Sequence, residues 1–216
     1  DLDGKKIINS AVATAGTKVS ITGGDGNDTV SVTADARYAT INVGAGANSI
    51  VNAGSYITIT AGTGNDTVDN SGDYVTITGG GGADSIINYG ANVLINATTA
   101  GADLIYNYDG AGVLIDATGS TAAKFIYNSA AASSTTLVSI KGGNGGDSIV
   151  VDEGARYATI TVGTGADSIV NYGSNVTINA SVASGNSGAD TIENSGVNVL
   201  INTSADRKST RLNSSH

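Results

Sequence analysis

The chain has no cysteine, no proline, no methionine and no tryptophan. Without cysteine there is no disulfide, no thiolate-bound zinc and no thiol nucleophile, and the redox compartment stays open. Without proline there is no proline-rich linker to divide the chain into domains. Without methionine the chain is read as an internal piece of something longer, so the lack of a visible signal peptide carries little weight. Its one histidine is His216, in the last position. Discounting that residue, no Ser-His or Cys-His relay can form. No run is apolar for long enough to span a membrane. Positive charge is scarce, with 10 Lys and Arg against 19 Asp and Glu and a formal net charge of −9. That balance disfavours nucleic acid as a partner. Large apolar side chains are scarce as well, so the core is expected to be thin and stacked.

What is present is a repeat. A short phrase, Asp-Ser/Thr-Ile/Val after a glycine-rich lead, returns along the chain. Its central positions are Asp28, Asn48, Asp66, Asp84, Asp103, Lys124, Asp147, Asp167 and Asp190, spaced by 20, 18, 18, 19, 21, 23, 20 and 23 residues. A period of this size marks a solenoid or related array. Two positions later stands Val30, Ile50, Val68, Ile86, Ile105, Ile126, Ile149, Ile169 or Ile192. Four positions later stands Asn52, Asn70, Asn88, Asn107, Asn128, Asn171 or Asn194, with Val32 and Val151 as the exceptions. Alternate residues of a strand share a face. These sets therefore predict an inward aliphatic ladder and an asparagine ladder, with amides bonding to the copies above and below.

A second strand is expected in each unit, reading YATI at 38–41, YITI at 56–59, YVTI at 74–77 and NVLI at 92–95, with later copies at 157–160, 175–178 and 198–201. Its β-branched content suits a strand. The expected fold is all-β: a parallel β-solenoid of about ten turns, 18–23 residues per turn, with no significant helix. Residues 18–60 align with 137–179 at an offset of 119, with 26 identities in 43 positions. The match extends upstream, where Lys5 pairs with Lys124, so a six-turn block is repeated. Duplication of blocks is natural where each turn touches only its neighbours. Residues 1–205 are read as a single array. Residues 206–216 (DRKSTRLNSSH) resemble a translated sequencing adapter and are expected to lie outside it as a non-native tail.

Three leads fit the nonapeptide GGxGxDxUx: 23–31 (GGDGNDTVS), 79–87 (GGGGADSII) and 142–150 (GGNGGDSIV). Partial matches stand at 61–69 and 162–170, and weaker ones at 98–106 and 188–192. On these residues the chain resembles the RTX, or hemolysin-type, calcium-binding repeat family. The resemblance implies a β-roll in which glycine-rich loops of adjacent coils clamp Ca²⁺. Its implied ligands are Asp28, Asp66, Asp84, Asp103, Asp147, Asp167 and Asp190. The implied loop glycines are Gly23, Gly24, Gly26, Gly62, Gly64, Gly79, Gly80, Gly82, Gly142, Gly143, Gly145, Gly163 and Gly165. Carbonyl and carboxylate oxygens are the donors calcium takes. The second half-turn, for example NSGDYVTIT at 70–78, lacks the motif, so calcium is expected along one edge only. The best sites are expected between the Asp66 and Asp84 turns, the Asp84 and Asp103 turns, and the Asp147 and Asp167 turns. Asn48 offers a neutral oxygen. Lys5 and Lys124 place an ammonium in the row and substitute for the metal by charge. The plainer account is that each Asp caps its own turn through backbone N–H groups.

The reading is a calcium-binding structural segment of a large secreted or surface-displayed protein, extracellular in location. It acts as a stiff spacer or adhesin scaffold, and its flanking domains meet cell-surface or carbohydrate ligands. It is not read as an enzyme. The rival is a metal-independent adhesive β-helix. A carbohydrate-active solenoid would have to use Asp152, Glu153 and Glu193 with Arg156; Glu153 has Ala34 as its counterpart in the other block. An ice-binding solenoid would use a threonine face, Thr40, Thr58, Thr76, Thr159 and Thr177, interrupted by Leu94, Leu114 and Leu200. Tyr89, Tyr106, Tyr108, Tyr127 and Tyr172 are expected to pack along a corner rather than bind sugar.

Overall fold

Each turn of this chain is too small to bury an apolar face by itself, so it buries that face against the next turn. The computed structural model describes residues 3–180 and 188–203, with the backbone of Ser209–Leu212. It is a parallel β-solenoid of about ten turns, with no helix among the described residues. Two parallel sheets face one another. One has eleven strands, from Lys6–Asn9 and Thr29–Val32 through Thr191–Asn194 to Ser209–Leu212; this last strand pairs with Thr191–Asn194 although it falls in the segment expected to lie outside the array. The other has ten, from Val19–Asp25 through Leu200–Asn202. Successive strands of the chain alternate between the sheets, so each pairs with the strand one full turn away.

The register is the repeat itself. Val30 pairs with Ile50, Ile50 with Val68, Val68 with Ile86, and the column continues to Ile192. All nine of these side chains have no exposed surface. Opposite them, Ile41, Ile59, Ile77, Ile95, Ile115, Ile140, Ile160 and Ile178 form the inner column of the second sheet. The core is two apolar columns and the small residues at the bends. This is why one Phe and no Trp suffice.

The asparagine ladder closes the corner after the first sheet. Asn52 Nδ2 donates to Asn70 Oδ1 at 2.7 Å, Asn70 to Asn88 at 2.8 Å, Asn88 to Asn107 at 2.8 Å, and Asn107 to Asn128 at 2.8 Å. Asn171 donates to Asn194 at 2.6 Å. Every one of these amides except that of Asn128 also staples its own bend: Asn88 Nδ2 donates to the Gly90 carbonyl, and its Oδ1 accepts the Gly90 N–H. The two valines break the ladder in the expected place. Val32 stands above Asn9 and Val151 above Asn128. Among the described residues, Asn9 Nδ2 and Asn128 Nδ2 are the buried amide nitrogens left without a hydrogen-bond partner.

The structure moves the second strand by one or two residues. It begins at Ala39, Thr58 and Thr76, not at the preceding tyrosines. Tyr38, Tyr56, Tyr74 and Tyr157 have φ of 55, 60, 57 and 53°, as do Asn92, Asn175 and Asn198 at 57, 57 and 56°. That left-handed position is a bend, uncommon for a non-glycine residue and favoured by Asn. In four turns the strand then runs on into the glycine-rich lead, ending at Asp25, Ala45, Thr63 and Gly81. So part of the expected loop is paired strand. No helix among the described residues is long and apolar enough to cross a membrane.

Replacing Asn88 by Val, the residue found at the two natural breaks, removes four buried hydrogen bonds. It strips Asn107 Oδ1 and the Gly90 N–H and carbonyl of these partners, and leaves Asn70 Nδ2 with the Gly72 carbonyl alone. The expected loss is about 3 kcal/mol, read as a lower urea midpoint at unchanged slope.

Candidate functional site

The repeat's central residue has the same parity as the inward Ile and Asn, so its side chain turns inward. Asp28, Asp66, Asp84, Asp103, Asp147, Asp167 and Asp190 form one row, and each is at most 2% exposed. The expected row is there, but it lies inside the coil and not on an open edge. Burial is possible because each side chain caps a backbone donor. Asp28 Oδ1 accepts the N–H of Lys5 at 2.7 Å, Asp66 Oδ1 that of Asn48 at 2.8 Å, and Asp84 Oδ1 that of Asp66 at 2.9 Å. Asp103 Oδ1 takes the N–H of Asp84 at 3.0 Å, and Asp147 Oδ1 that of Lys124 at 2.8 Å. Asp167 Oδ1 takes the N–H of Asp147 at 2.7 Å, and Asp190 Oδ1 that of Asp167 at 3.2 Å. Each Asp thus caps the turn before it, where the plainer sequence account had it capping its own. Asn48 joins the row, its Oδ1 taking the Asp28 N–H at 2.8 Å and its Nδ2 donating to Asp66 Oδ1 at 2.9 Å.

The second oxygen distinguishes one turn from another. In Asp28, Asp66 and Asp84 the Oδ2 is buried and has no hydrogen-bond partner. In Asp147 it accepts the Gly143 N–H at 2.7 Å. In Asp103 it accepts the Lys124 ammonium at 2.7 Å. Gly23, Gly79 and Gly142 lie against these carboxylates, and a Cβ on any of them would collide with Oδ2 of Asp28, Asp84 or Asp147. The remaining lead glycines stack on one another. Gly24, Gly44, Gly62 and Gly80 form one column; Gly26, Gly46, Gly64, Gly82 and Gly101 form a second. Gly143 stands under Gly163, and Gly145 under Gly165. A Cβ on Gly62 or Gly80 would run into the carbonyl below, and both residues have positive φ, 103 and 102°.

Burial sets the protonation. It pushes the Asp84 carboxyl up to about 6 from 3.8, with Asp103 and Asp66 adding to the rise and the Asp66 N–H and Lys124 opposing it. Burial raises Asp66 against two hydrogen bonds from Asn48. It raises Asp147 against the N–H groups of Lys124 and Gly143 and the Lys124 charge. Removing a charge from water is costly unless it is paired or neutralised.

Lys124 displays what the row accepts. Its Nζ donates to the Thr99 carbonyl at 3.1 Å, the Gly101 carbonyl at 2.6 Å and Asp103 Oδ2 at 2.7 Å. Thr99 and Gly101 stand four and two residues before Asp103. The same places hold Gly24 and Gly26, Gly62 and Gly64, Gly80 and Gly82, Gly143 and Gly145, and Gly163 and Gly165 before their own aspartates. Lys5 Nζ likewise donates to a lead carbonyl, that of Gly23. These oxygens, two carbonyls and one carboxylate, are the donor type Ca²⁺ takes. The donor set fits the ion in kind, and the lysine ammonium is a stand-in cation in it. Among the described residues no three His, Cys, Asp or Glu side chains converge on a point. Any cation in the row is therefore held largely by backbone carbonyls.

The other candidates lie apart. Asp152 accepts the Gly154 N–H at 3.1 Å and the Tyr127 hydroxyl at 2.9 Å, as a bend residue does. Glu193 lies beside Val170, which lies beside Val150, so one strand separates it from the strand that leads into Asp152. Thr40, Thr58 and Thr76 align on one outer column, followed by Leu94, Leu114 and Ser139 before Thr159 and Thr177. Tyr89 stacks on Tyr108 at 5.3 Å, and Tyr106 and Tyr127 join that cluster. The sequence reading missed a second aromatic column, Tyr38 on Tyr56 at 5.0 Å and Tyr56 on Tyr74 at 4.9 Å. Its signal was the alternation of Tyr with Asn at one position of the unit. No protein-family model, curated protein or solved structure matches this chain.

A raised folded-state carboxyl favours the folded protein when protonated. The Asp84 contribution is fully present below pH 3.8 and is lost as pH rises through about 6. Metal-free protein is expected to lose urea resistance across that window. Asp84→Asn, which keeps the Oδ1 acceptor and cannot ionise, is expected to flatten the loss.

Proposed function

We propose that this segment is a stiff structural spacer or display scaffold of a larger secreted or surface protein. Its buried aspartate row takes Ca²⁺ between turns, as the resemblance to RTX repeats implies. The observation that carries the reading is the Lys124 ammonium held by Thr99, Gly101 and Asp103. One turn fills with a tethered cation the positions that the glycine-rich leads and aspartates offer elsewhere. Asp66 with Gly62 and Gly64, and Asp84 with Gly80 and Gly82, are the turns best suited to a free ion, because their second carboxylate oxygens have no hydrogen-bond partner. Calcium there neutralises the row and adds binding energy to folding. Repulsion between adjacent carboxylates, about 1 kcal/mol per neighbour in water and larger when buried, is removed.

A second reading has its own support. The asparagine ladder and the Oδ1 caps join turn to turn with no metal. On that reading the array is a metal-independent adhesive β-helix, and protons or lysines neutralise the row. The shared element is mechanical: a rod of fixed register that sets a distance between other parts of a protein.

The two readings separate in a calcium titration of chelator-treated protein, followed by far-UV circular dichroism and thermal melting. The calcium reading expects a gain in strand signal or melting temperature at micromolar to millimolar calcium. Magnesium should not reproduce it. At calcium a hundred times its dissociation constant the gain is about 2.7 kcal/mol per site. Superimposable curves in chelator and in calcium would remove calcium from the account and leave the ladder-held rod.

A further inference from the structure

Lys124 heads the fully buried side chains by size, and it faces a carboxylate. Its Nζ is 2.7 Å from Asp103 Oδ2, with side-chain exposures of 0 and 2%. Withdrawing both charges from water is expensive, and their attraction offsets this only when the geometry is good. A neutral amide between the same atoms removes both charges and keeps the contact. The backbone N–H of Asp84 already donates to Asp103 Oδ1 at 3.0 Å. That donor sits on the oxygen where negative charge collects if an amine adds to the Asp103 carboxyl carbon. The reacting groups are in contact and shielded from water, so the entropic part of the barrier is already met.

We propose that Lys124 and Asp103 condense to an intramolecular isopeptide bond. The ammonium passes one proton to Asp103 Oδ2, which frees the nitrogen lone pair. Nζ adds to Cγ, and the oxyanion forms on Oδ1 against the Asp84 N–H. The nitrogen gives up a second proton to the departing oxygen, the Cγ–Oδ2 bond breaks, and one water leaves. The amide keeps one N–H, which has the Gly101 carbonyl within reach. Carboxylate plus ammonium become amide plus water, and no oxidant, cofactor or outside group is consumed.

The placement gives the bond a purpose. It joins two turns 21 residues apart. Beside them the strands of the second sheet are short, three residues at Leu94–Asn96 and Leu114–Asp116, as they are again at Thr177–Asn179 and Leu200–Asn202. The chain also carries a built-in comparison. Lys141 Nζ lies 3.7 Å from Asp116 Oδ2, but these side chains are 44 and 26% exposed. Water solvates that pair, so it is expected to remain an ion pair. Both this inference and the calcium reading start from the Lys124–Asp103 contact, but this one is read by mass and that one by calcium titration, so either can fail without the other.

The test is the intact mass of the folded full chain, followed by protease digestion and tandem mass spectrometry. The expected result is a mass one water below that of the sequence, with a branched peptide joining Lys124 to Asp103. Lys124→Arg keeps the cation but cannot form this bond, and Asp103→Ala removes the acceptor. Both are expected at full mass. A circular dichroism spectrum of Lys124→Arg like that of the parent shows that the loss of the link is not a loss of the fold. A folded parent chain that stays at full mass after long incubation overturns the proposal. So does a missing water that maps to any other residue, such as a cyclised Asp-Gly step.

Discussion

Every turn in this protein is held by what the next turn places directly above it. A parallel stack with constant register leaves each side chain facing its own copy, so like must tolerate like. Isoleucine on isoleucine does so by excluding water. Asparagine on asparagine does so because an amide is both donor and acceptor. Aspartate on aspartate does not, because two carboxylates repel. The buried row is thus the one column of the fold with an electrostatic problem, and much of the local sequence addresses it.

The row is relieved in steps. One oxygen of each carboxylate takes a backbone N–H from the turn before. Glycine at 23, 79 and 142 clears space for the other oxygen. Asn48 inserts a neutral member beside Asp66, and Lys124 inserts an opposite charge beside Asp103. Burial raises the carboxyl's proton affinity most clearly at Asp84, and also at Asp66 and Asp147. Proton, amide and ammonium are three answers to one constraint, and the last two are built from the chain itself. The proposed calcium and the proposed isopeptide are further answers of the same kind.

The period, the two-sheet solenoid and the asparagine ladder were legible because strand alternation converts sequence parity directly into inside and outside. The inward turn of the aspartates was legible by the same rule. Asp28, Val30 and Val32 share a parity, and all three are buried. It was overlooked because a charged residue after glycines invites the picture of an open loop. The start of the second strand was not legible from β-propensity. Tyr38, Tyr56 and Tyr74 suit strands by type, yet occupy a left-handed bend. Only their exchange with Asn92, Asn175 and Asn198 hints at it. The path of the glycine leads, paired as strand in four turns, depends on carbonyls packed against neighbouring Cα atoms, and no single repeat carries that information.

The account rests on the carboxylates being inside. The measurement that reaches them directly is a carbon-13 titration of aspartate carboxyl groups by nuclear magnetic resonance, in chelator and then in calcium. The account predicts a set of carboxyls displaced upward in chelator, Asp84 titrating at about 6 in place of 3.8, whose shifts respond to calcium. Carboxyls that all titrate at ordinary exposed values, unmoved by calcium, would contradict a buried row and the function built on it.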